Sequence, residues 1–293
     1  MYDVLIRKKV LKIQERLGMR IGIPYGINKI PTARTPAQVL DVLRELYKIG
    51  LKAFVLPKEL FGGIYTSTDL YKKYYGELLK IKDIAKKFNI ELSLHHTALS
   101  DQPDEKLKIF CDISSIMDCR IFVIQPNFYA RMPQDQALKL VVYKINEIVS
   151  GLRTKCSIGV ETTGKMSEVG SLEDTIDIVR RTSSTEPVIN WAHVHARGVG
   201  ALRSQQDFRR VLDQVRAAVG QSWLQNAFFF FSGISYGPSG EIRHIPLDKS
   251  DISLDYLIRE VMSLNMGGTL IIEDPDREKF VLSRMEELSD MVR

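Results

Sequence analysis

The chain has 293 residues, of which 44% are hydrophobic and 26% are charged. This length suits a one-domain barrel, and the composition excludes a disordered or fibrous chain. The formal net charge of +5 permits a nucleic-acid or phosphate ligand without requiring one.

The sequence shows no sign of secretion or of membrane insertion. Its longest apolar run, around Ala227 to Phe231, has the length of a strand and is too short to span a membrane. The basic residues near the N-terminus are not followed by the apolar block of a signal peptide. The three cysteines form no CxxC pair, which is typical of reduced side chains in the cytosol. We therefore expect a cytoplasmic protein that does not contact a membrane.

The first predicted element is an amphipathic helix within residues 1–18, which we expect to cover the N-terminal end of the domain that follows. Short apolar segments then alternate with amphipathic helical segments. Near-continuous apolar strands of this kind are typical of a parallel sheet that is covered on both faces. The predicted strands are Arg20–Pro24, Ala53–Leu56, Glu91–His95, Ile121–Gln125, Ser157–Glu161, Val188–His193, Ala227–Ser232 and Thr269–Glu273.

Helix-start signals follow the strands. Thr35 and Ser171 are good N-caps for the predicted helices Pro36–Ile49 and Leu172–Arg181. Eight right-handed βα units close naturally into a barrel. An open doubly wound sheet is the alternative, but no GxGxxG follows the first strand. We predict a (β/α)8 TIM barrel, with one domain over residues 19–293 and a helical extension over residues 1–18. Two further helices are predicted at Gln205–Val219 and Asp251–Leu264.

Polar residues collect at the C-terminal ends of these strands, where barrel active sites lie. All five histidines of the chain are among them. Histidine and carboxylate side chains in such numbers are typical of a zinc or manganese site. The alternative is that each histidine only satisfies a local hydrogen bond. The residues concerned are His95, His96, Gln125, Glu161, Asn190, His193, His195, Glu241, Arg243, His244, Glu273 and Asp274.

Glu161 and Glu273 end apolar strands at equivalent places in the predicted barrel. A buried carboxylate is unfavourable unless it is paired or binds a metal. We therefore interpret both as metal ligands. Pairing with Lys165 or Arg197 is the alternative.

Several segments resemble motifs of the endonuclease IV-like family, of the archaeal type, whose members are xylose isomerase-like TIM barrels also called AP endonuclease family 2. Asn190–Arg197 is similar to the family's strand-6 motif DFAHLHAR, and Phe231–Gly237 is similar to its segment HFSGIEYG. The resemblance extends over residues 20–290. The other matching segments are Leu94–His96, Gly159–Lys165, Gly240–His244 and Ile272–Pro275.

This resemblance implies a metal-dependent phosphodiesterase that cleaves DNA next to abasic or damaged sites and uses a cluster of three metals, usually zinc. Glu161 would bridge two of the metals and be the residue on which catalysis depends. Basic residues on the loops at the same end of the barrel would contact DNA phosphates: Lys165, Arg197, Arg243 and Arg131. The positions that match family ligands are His95, Glu161, His193, His244 and Glu273.

Four positions depart from the family pattern. Gln125 and Phe230 replace histidines, and Asn190 and Ile242 replace aspartates. We therefore expect fewer than three metals, with Gln125, Asn190 and Glu241 as weak or substitute ligands. A neutral amide oxygen suits Mn or Mg better than zinc. We also expect a monomer.

Two other functions remain open at this stage. A catalytically inactive DNA-binding or regulatory relative would explain the replaced ligands. A sugar isomerase or epimerase would share the barrel, but such enzymes usually need Glu, Asp, His and Glu on strands 5 to 8. Asn190 and Phe230 occupy the Asp and His positions of that set.

Overall fold

The computed structural model describes residues 2–99, 104–127, 132–150 and 157–291. Eight parallel strands form a closed barrel, because the sixth barrel strand pairs with the seventh, and the eighth pairs with both the seventh and the first. This confirms the predicted (β/α)8 TIM barrel. The barrel strands are β1 (Met19–Pro24), β2 (Ala53–Leu56), β3 (Glu91–Ala98), β4 (Phe122–Gln125), β5 (Ile158–Glu161), β6 (Thr185–Asn190), β7 (Ala227–Gly237) and β9 (Gly268–Glu273).

Helices surround the barrel. Within the described ranges they are α1 (Tyr2–Leu17), α2 (Pro36–Ile49), α3 (Ser67–Asp69), α4 (Tyr75–Phe88), α5 (Asp104–Ile116), α6 (Gln134–Ser150), α7 (Leu172–Arg181), α8 (Trp191–Arg197), α9 (Gln205–Val219), α10 (Leu254–Ser263) and α11 (Arg277–Met291). In that part of the chain, every helix falls short of the length and hydropathy needed to cross a membrane.

The N-terminal helix α1 lies beside the N-terminal ends of β1 and β2. Gln14, which is buried, donates to the carbonyl oxygen of Gly50 at 2.8 Å and accepts from the backbone N–H of Ile21 at 2.8 Å. These bonds fasten α1 to the chain segments at which both strands begin. The predicted helix is thus confirmed, whereas the division into an extension and a single domain stays a prediction.

The interior of the barrel is filled by apolar side chains. Phe230 and Phe228 belong to a buried cluster with Val55, Val123 and Val188, which come from β2, β4 and β6. A larger core lies between the strands and the outer helices. The barrel is therefore a packed core whose polar residues gather at its C-terminal end.

Several predicted strand boundaries were wrong, and two of these errors affect the site. Strand 6 was expected at Val188–His193, but β6 ends at Asn190, whose side-chain oxygen accepts from His193 N–H and caps α8. Strand 7 was expected to end at Ser232, but β7 continues to Gly237. This extension pairs with an additional, antiparallel strand, β8 (Gly240–Ile245), which is not one of the eight parallel strands. His193 therefore lies on a helix, and Glu241 and His244 lie on a strand.

Candidate metal centre

A cavity of about 480 Å³ opens at the C-terminal end of the barrel. It brings together most of the site residues that the sequence predicted, although they come from six strands or their following segments. The predicted residues that line it are His95, Gln125, Glu161, Lys165, Asn190, His193, Glu241, His244, Glu273 and Asp274.

Three of these side chains face one point. The Nε2 atoms of His193 and His244 lie 3.2 Å apart. The Glu241 carboxylate lies 3.5 Å from His193 Nε2 and 3.7 Å from His244 Nε2. Two imidazole nitrogens on one tetrahedral zinc would be about 3.3 Å apart, given a Zn–N distance of about 2.05 Å. The three residues therefore have the spacing of a divalent-cation site.

A bulge in β8 produces this arrangement. The pairing of β7 with β8 shifts between Ser235, opposite Arg243, and Tyr236, opposite Glu241. Ile242 is the extra residue, and it is 64% exposed. Because a bulge breaks the alternation of a strand, Glu241 and His244 face the cavity together although they are three residues apart.

Gly164 makes room for Glu241. A Cβ atom at Gly164 would lie 2.4 Å from Glu241 Oε2. The backbone N–H of Glu241 also donates to the carbonyl oxygen of Gly164 at 2.9 Å. The loop after β5 thus positions the carboxylate that completes the group of three.

Hydrogen bonds outside this group orient its two imidazoles. His193 Nδ1 lies 2.7 Å from the carbonyl oxygen of Thr162, so Nδ1 must carry a proton and donate it. In the neutral ring, the lone pair is then on Nε2, which faces His244 and Glu241. Ser232 Oγ lies 3.1 Å from Nδ1 of His244. Partners of this kind commonly fix the tautomer and direction of metal-binding histidines.

Glu161 is fully buried and has a different set of partners. His95 Nε2 lies 2.7 Å from its Oε2, and the side-chain amide of Asn190 donates to its Oε1 at 2.9 Å. Because Asn190 uses its oxygen to cap α8, its nitrogen faces Glu161. The predicted oxygen ligand at Asn190 is therefore not offered to the site, and the expected preference for Mn or Mg loses its basis.

The charges around Glu161 shift two pKa values. Burial raises the pKa of Glu161, but the positive charge and hydrogen bond of His95 outweigh burial and lower this pKa to about 2. Burial lowers the pKa of His95, and the negative charge of Glu161 outweighs it, so the net shift of the His95 pKa is upward. Glu161 is consequently ionised and pairs with His95, instead of with Lys165 or Arg197.

The remaining predicted ligands lie at the edge of the group. Glu273 Oε2 is 3.7 Å from His244 Nδ1. Gln125 lines the cavity at the end of β4. Phe230, at the family's strand-7 histidine position, is buried with its ring 5.2 Å from that of His95.

His195 belongs to a different environment. Its Nε2 lies 2.9 Å from Asp251, and its Nδ1 accepts from the backbone N–H of Leu202 at 3.0 Å. It is fully buried and satisfies local hydrogen bonds. The expectation that every histidine belongs to one site is therefore wrong for His195, and the side chain of His96 lies outside the described residues.

The basic residues that were predicted to contact phosphate lie in different surroundings. Lys165 is on the cavity rim, 53% exposed, and pairs with Glu168 at 3.5 Å. Arg243 is exposed on β8, beside Ser235. Arg131 lies outside the described residues.

Arg197, which was predicted to contact phosphate, is largely buried and bonds the loop after β5. Its guanidinium donates to the carbonyl oxygens of Lys165 at 2.6 Å and Glu168 at 2.9 Å, and to Thr163 Oγ1 at 3.2 Å. Only 17% of its side chain is exposed. Burial also lowers the pKa of Arg197, against the opposing charge of Asp174. The Arg197 side chain therefore stabilises the conformation of the loop after β5.

We expect Arg197→Met to lower the free energy of unfolding by roughly 2–3 kcal/mol, because bonds to a charged group contribute about 1.5–3 kcal/mol. Urea unfolding measures this loss. Arg216→Met is the control, since Arg216 pairs with Asp213 on the outer surface. Unchanged stability, together with weaker DNA binding, would show that Arg197 contacts phosphate after all.

Among the residues of the cavity wall that sequence reasoning missed are Tyr25 and Arg277. Tyr25 follows β1 directly, and Arg277 begins α11 after β9. Both residues follow the C-terminal end of a barrel strand, so the expectation that active sites lie at these ends could have found them. Burial, followed by the negative charges of Glu273 and Glu161, raises the pKa of Tyr25 well above its usual value.

The fold and the cavity define a (β/α)8 barrel with a histidine and carboxylate centre at its C-terminal mouth. Residues 43–292 match the xylose isomerase-like TIM barrel family, also called AP endonuclease 2. The chain therefore belongs to this family, as the resemblance of its motifs predicted.

An uncharacterized protein of Methanocaldococcus jannaschii is 25% identical over 271 residues, which cover 88% of this chain and 94% of that protein. Among solved structures, SacUVDE has a TM-score of 0.68 at 15% identity and covers 93% of this chain and 99% of its own. Endonuclease IV from Thermus thermophilus has a TM-score of 0.63 at 15% identity, over 93% and 98%. D-psicose 3-epimerase from Clostridium cellulolyticum has a TM-score of 0.60 at 12% identity, over 94% and 99%. These structures share the fold.

Proposed function

We propose that the protein is a divalent-metal-dependent phosphodiesterase that acts on DNA with abasic or damaged sites. The observation that carries this proposal is the convergence of His193, Glu241 and His244 on one point at the cavity. One structural neighbour is an endonuclease by name, endonuclease IV, and this supports a nucleic-acid substrate.

The donor set fits a cation of intermediate softness. Two imidazole nitrogens and a carboxylate are the three protein ligands of some catalytic zinc sites, in which a fourth position stays open. Zinc is therefore the cation that we propose, at one site formed by His193, Glu241 and His244. When bound, such a cation lowers the pKa of a water molecule and neutralises charge on a phosphate oxygen.

The chain's own charges complement this centre. The ionised Glu161 lies 3.6 Å from His193 Nδ1, which favours the ring proton on that atom and leaves Nε2 free. Lys165 and Arg277 line the cavity and are available for the flanking phosphates of a polymer. Net positive charge over the whole chain adds attraction for DNA.

The sugar-epimerase alternative has weaker support. Asn190 caps α8, and Phe230 packs in the barrel interior, so the Asp and His of the usual epimerase set are missing. The non-catalytic alternative predicts a protein that binds DNA and holds no metal. A monomeric, cytoplasmic protein stays a prediction.

Metal content and incision together test the proposal. Protein purified without chelator should hold about one zinc per chain in elemental analysis, and it should incise a duplex that contains an abasic site. Glu241→Gln keeps the side chain's size but removes its charge, and it should lose both properties. Metal-free wild-type protein that still binds DNA would favour the non-catalytic alternative. Activity on sugars without incision would favour the epimerase.

We expect Lys165→Ala to weaken DNA binding and to lower the slope of log affinity against log salt by about one, because one phosphate contact is lost. Fluorescence anisotropy over a salt series measures this slope. Lys139→Ala is a matched control, because Lys139 is also exposed and pairs with an acid one helical turn away, Asp135. An equal change of slope in both variants would mean that Lys165 acts only through net charge.

A further inference from the structure

Tyr25 has a strained backbone that its surroundings hold in place. Its φ of 67° lies in the left-handed region, which is unfavourable for a residue other than glycine. Its N–H donates to Val55 at 2.8 Å, and its carbonyl oxygen accepts from Ala33 at 2.9 Å. Gly26 follows, and a Cβ atom there would lie 2.0 Å from the carbonyl oxygen of Ile30. Backbone strain of this kind is concentrated at functional sites, so the Tyr25 side chain is a candidate functional group.

The strained backbone places the Tyr25 ring on the cavity wall. Its hydroxyl lies 2.7 Å from Nδ1 of His95, whose Nε2 lies 2.7 Å from Glu161. Asn190 donates to the other oxygen of Glu161. A continuous chain of hydrogen bonds through His95, Glu161 and Asn190 therefore fixes the position of the Tyr25 hydroxyl. The ionised Glu161 only accepts, so His95 Nε2 donates to it. When His95 carries both ring protons, its Nδ1 donates to the Tyr25 oxygen, and the hydroxyl proton remains available for an acceptor on a ligand.

The same contacts disfavour a metal at His95 and Glu161. Both ring nitrogens of His95 have partners, and so do both oxygens of Glu161. The N–H of Asn190 faces the carboxylate where a cation would otherwise approach. Phe230, which has no donor atom, packs 5.2 Å from the ring of His95. The geometry thus separates this chain of residues from the group formed by His193, Glu241 and His244.

We propose that Tyr25 is a catalytic residue whose hydroxyl hydrogen-bonds a phosphate oxygen of the substrate, and that His95 and Glu161 are positioning residues for it instead of metal ligands. This inference rests on the proposed phosphodiesterase function. It gives His95 and Glu161, which match family metal ligands by resemblance, a different task. Fixed donors of this kind contribute most when they meet charge that develops in the reaction.

The test compares Tyr25→Phe, His95→Gln and the double variant. The substrate is bis(p-nitrophenyl) phosphate, which needs the cavity but no DNA contact. Each single variant should lower kcat by about 100-fold with a smaller change in KM, as for loss of one fixed donor. The double variant should be no worse than either single one, because both act through one hydroxyl. Metal content should stay at the wild-type level in all three.

Tyr236→Phe is the matched control. Its hydroxyl donates to Asp251 at 2.6 Å, next to His195 and away from the cavity. It should keep wild-type kcat and metal content, which shows that removing a tyrosine hydrogen bond is not itself harmful. Thermal unfolding of each variant verifies that it is folded.

Three outcomes would overturn the inference. Loss of metal in His95→Gln or Glu161→Gln would make these residues ligands. Additive effects in the double variant would separate Tyr25 from His95. Unchanged kcat in Tyr25→Phe would leave it a structural residue. Inorganic phosphate binding, measured by calorimetry, gives an independent readout. If wild-type protein binds phosphate but hydrolyses no diester, the phosphodiesterase proposal fails, and the loss or retention of phosphate affinity in Tyr25→Phe still decides the role of Tyr25.

Discussion

His193→Ala should remove the bound metal and, with it, all measurable phosphodiester hydrolysis. Nε2 of His193 is the atom closest to both of the other proposed ligands, at 3.2 Å from His244 and 3.5 Å from Glu241. Loss of a group that only orients a ligand lowers metal affinity by about 10–100-fold. Loss of the ligand itself should exceed about 100-fold. Elemental analysis after dialysis and competition with a chelating dye measure this change.

His195→Gln is the control for this experiment, because it changes a histidine two residues further along the same helix. His195 bonds Asp251 and Leu202 and has no place in the cavity. Its replacement should destabilise the fold by about 1–3 kcal/mol and leave metal content unchanged. If His193→Ala retained its metal at wild-type affinity, the centre would lie elsewhere, and Glu161 and Glu273 would be the next residues to test.

The architecture was largely predictable from the sequence. Short apolar strands and capped helices recur regularly, and Pro36–Ile49, Leu172–Arg181 and Gln205–Val219 were predicted with the bounds that the structure has. Local signals suffice there, because the cap and the apolar period lie within one segment. Asn190 is both the last residue of β6 and the N-cap of α8. The sequence that follows it is equally compatible with a strand, so the end of β6 was predicted too late.

The site was predictable as a set of residues, but their contacts were not. Position at a strand end found His95, Glu161, His193 and Glu273. It could not find the bulge at Ile242, which depends on pairing between β7 and β8 and which turns Glu241 toward His193. It also could not show which face of the Asn190 amide meets Glu161, since that depends on the cap of α8. The expected preference for Mn or Mg therefore stays a prediction, without the oxygen ligand from Asn190 on which it relied.

Asn190→Asp should strongly destabilise the metal-free protein at neutral pH. The amide of Asn190 donates to Glu161 at 2.9 Å, and both residues are buried. A carboxylate in its place would remove the donor and set two negative charges together where little water reaches them. Leaving a buried charge without its partner costs about 3–5 kcal/mol. The new carboxyl would have a raised pKa in the folded state, so the destabilisation should be small below about pH 4 and grow as pH rises toward neutral.

Zinc should reverse much of this loss, because a cation between the two carboxylates replaces the missing donor and cancels their repulsion. The expected results are a lower Tm than wild type without metal, a larger rise in Tm on adding zinc, and a second bound metal equivalent when Phe230→His is added beside His95. Asn190→Ser is the control, since serine can still cap α8 but brings no charge. If Asn190→Asp and Asn190→Ser were equally stable at pH 7 without metal, Glu161 would not carry the buried negative charge assigned to it. If zinc stabilised both variants equally, the position between Glu161 and residue 190 would not be a place where a cation can bind.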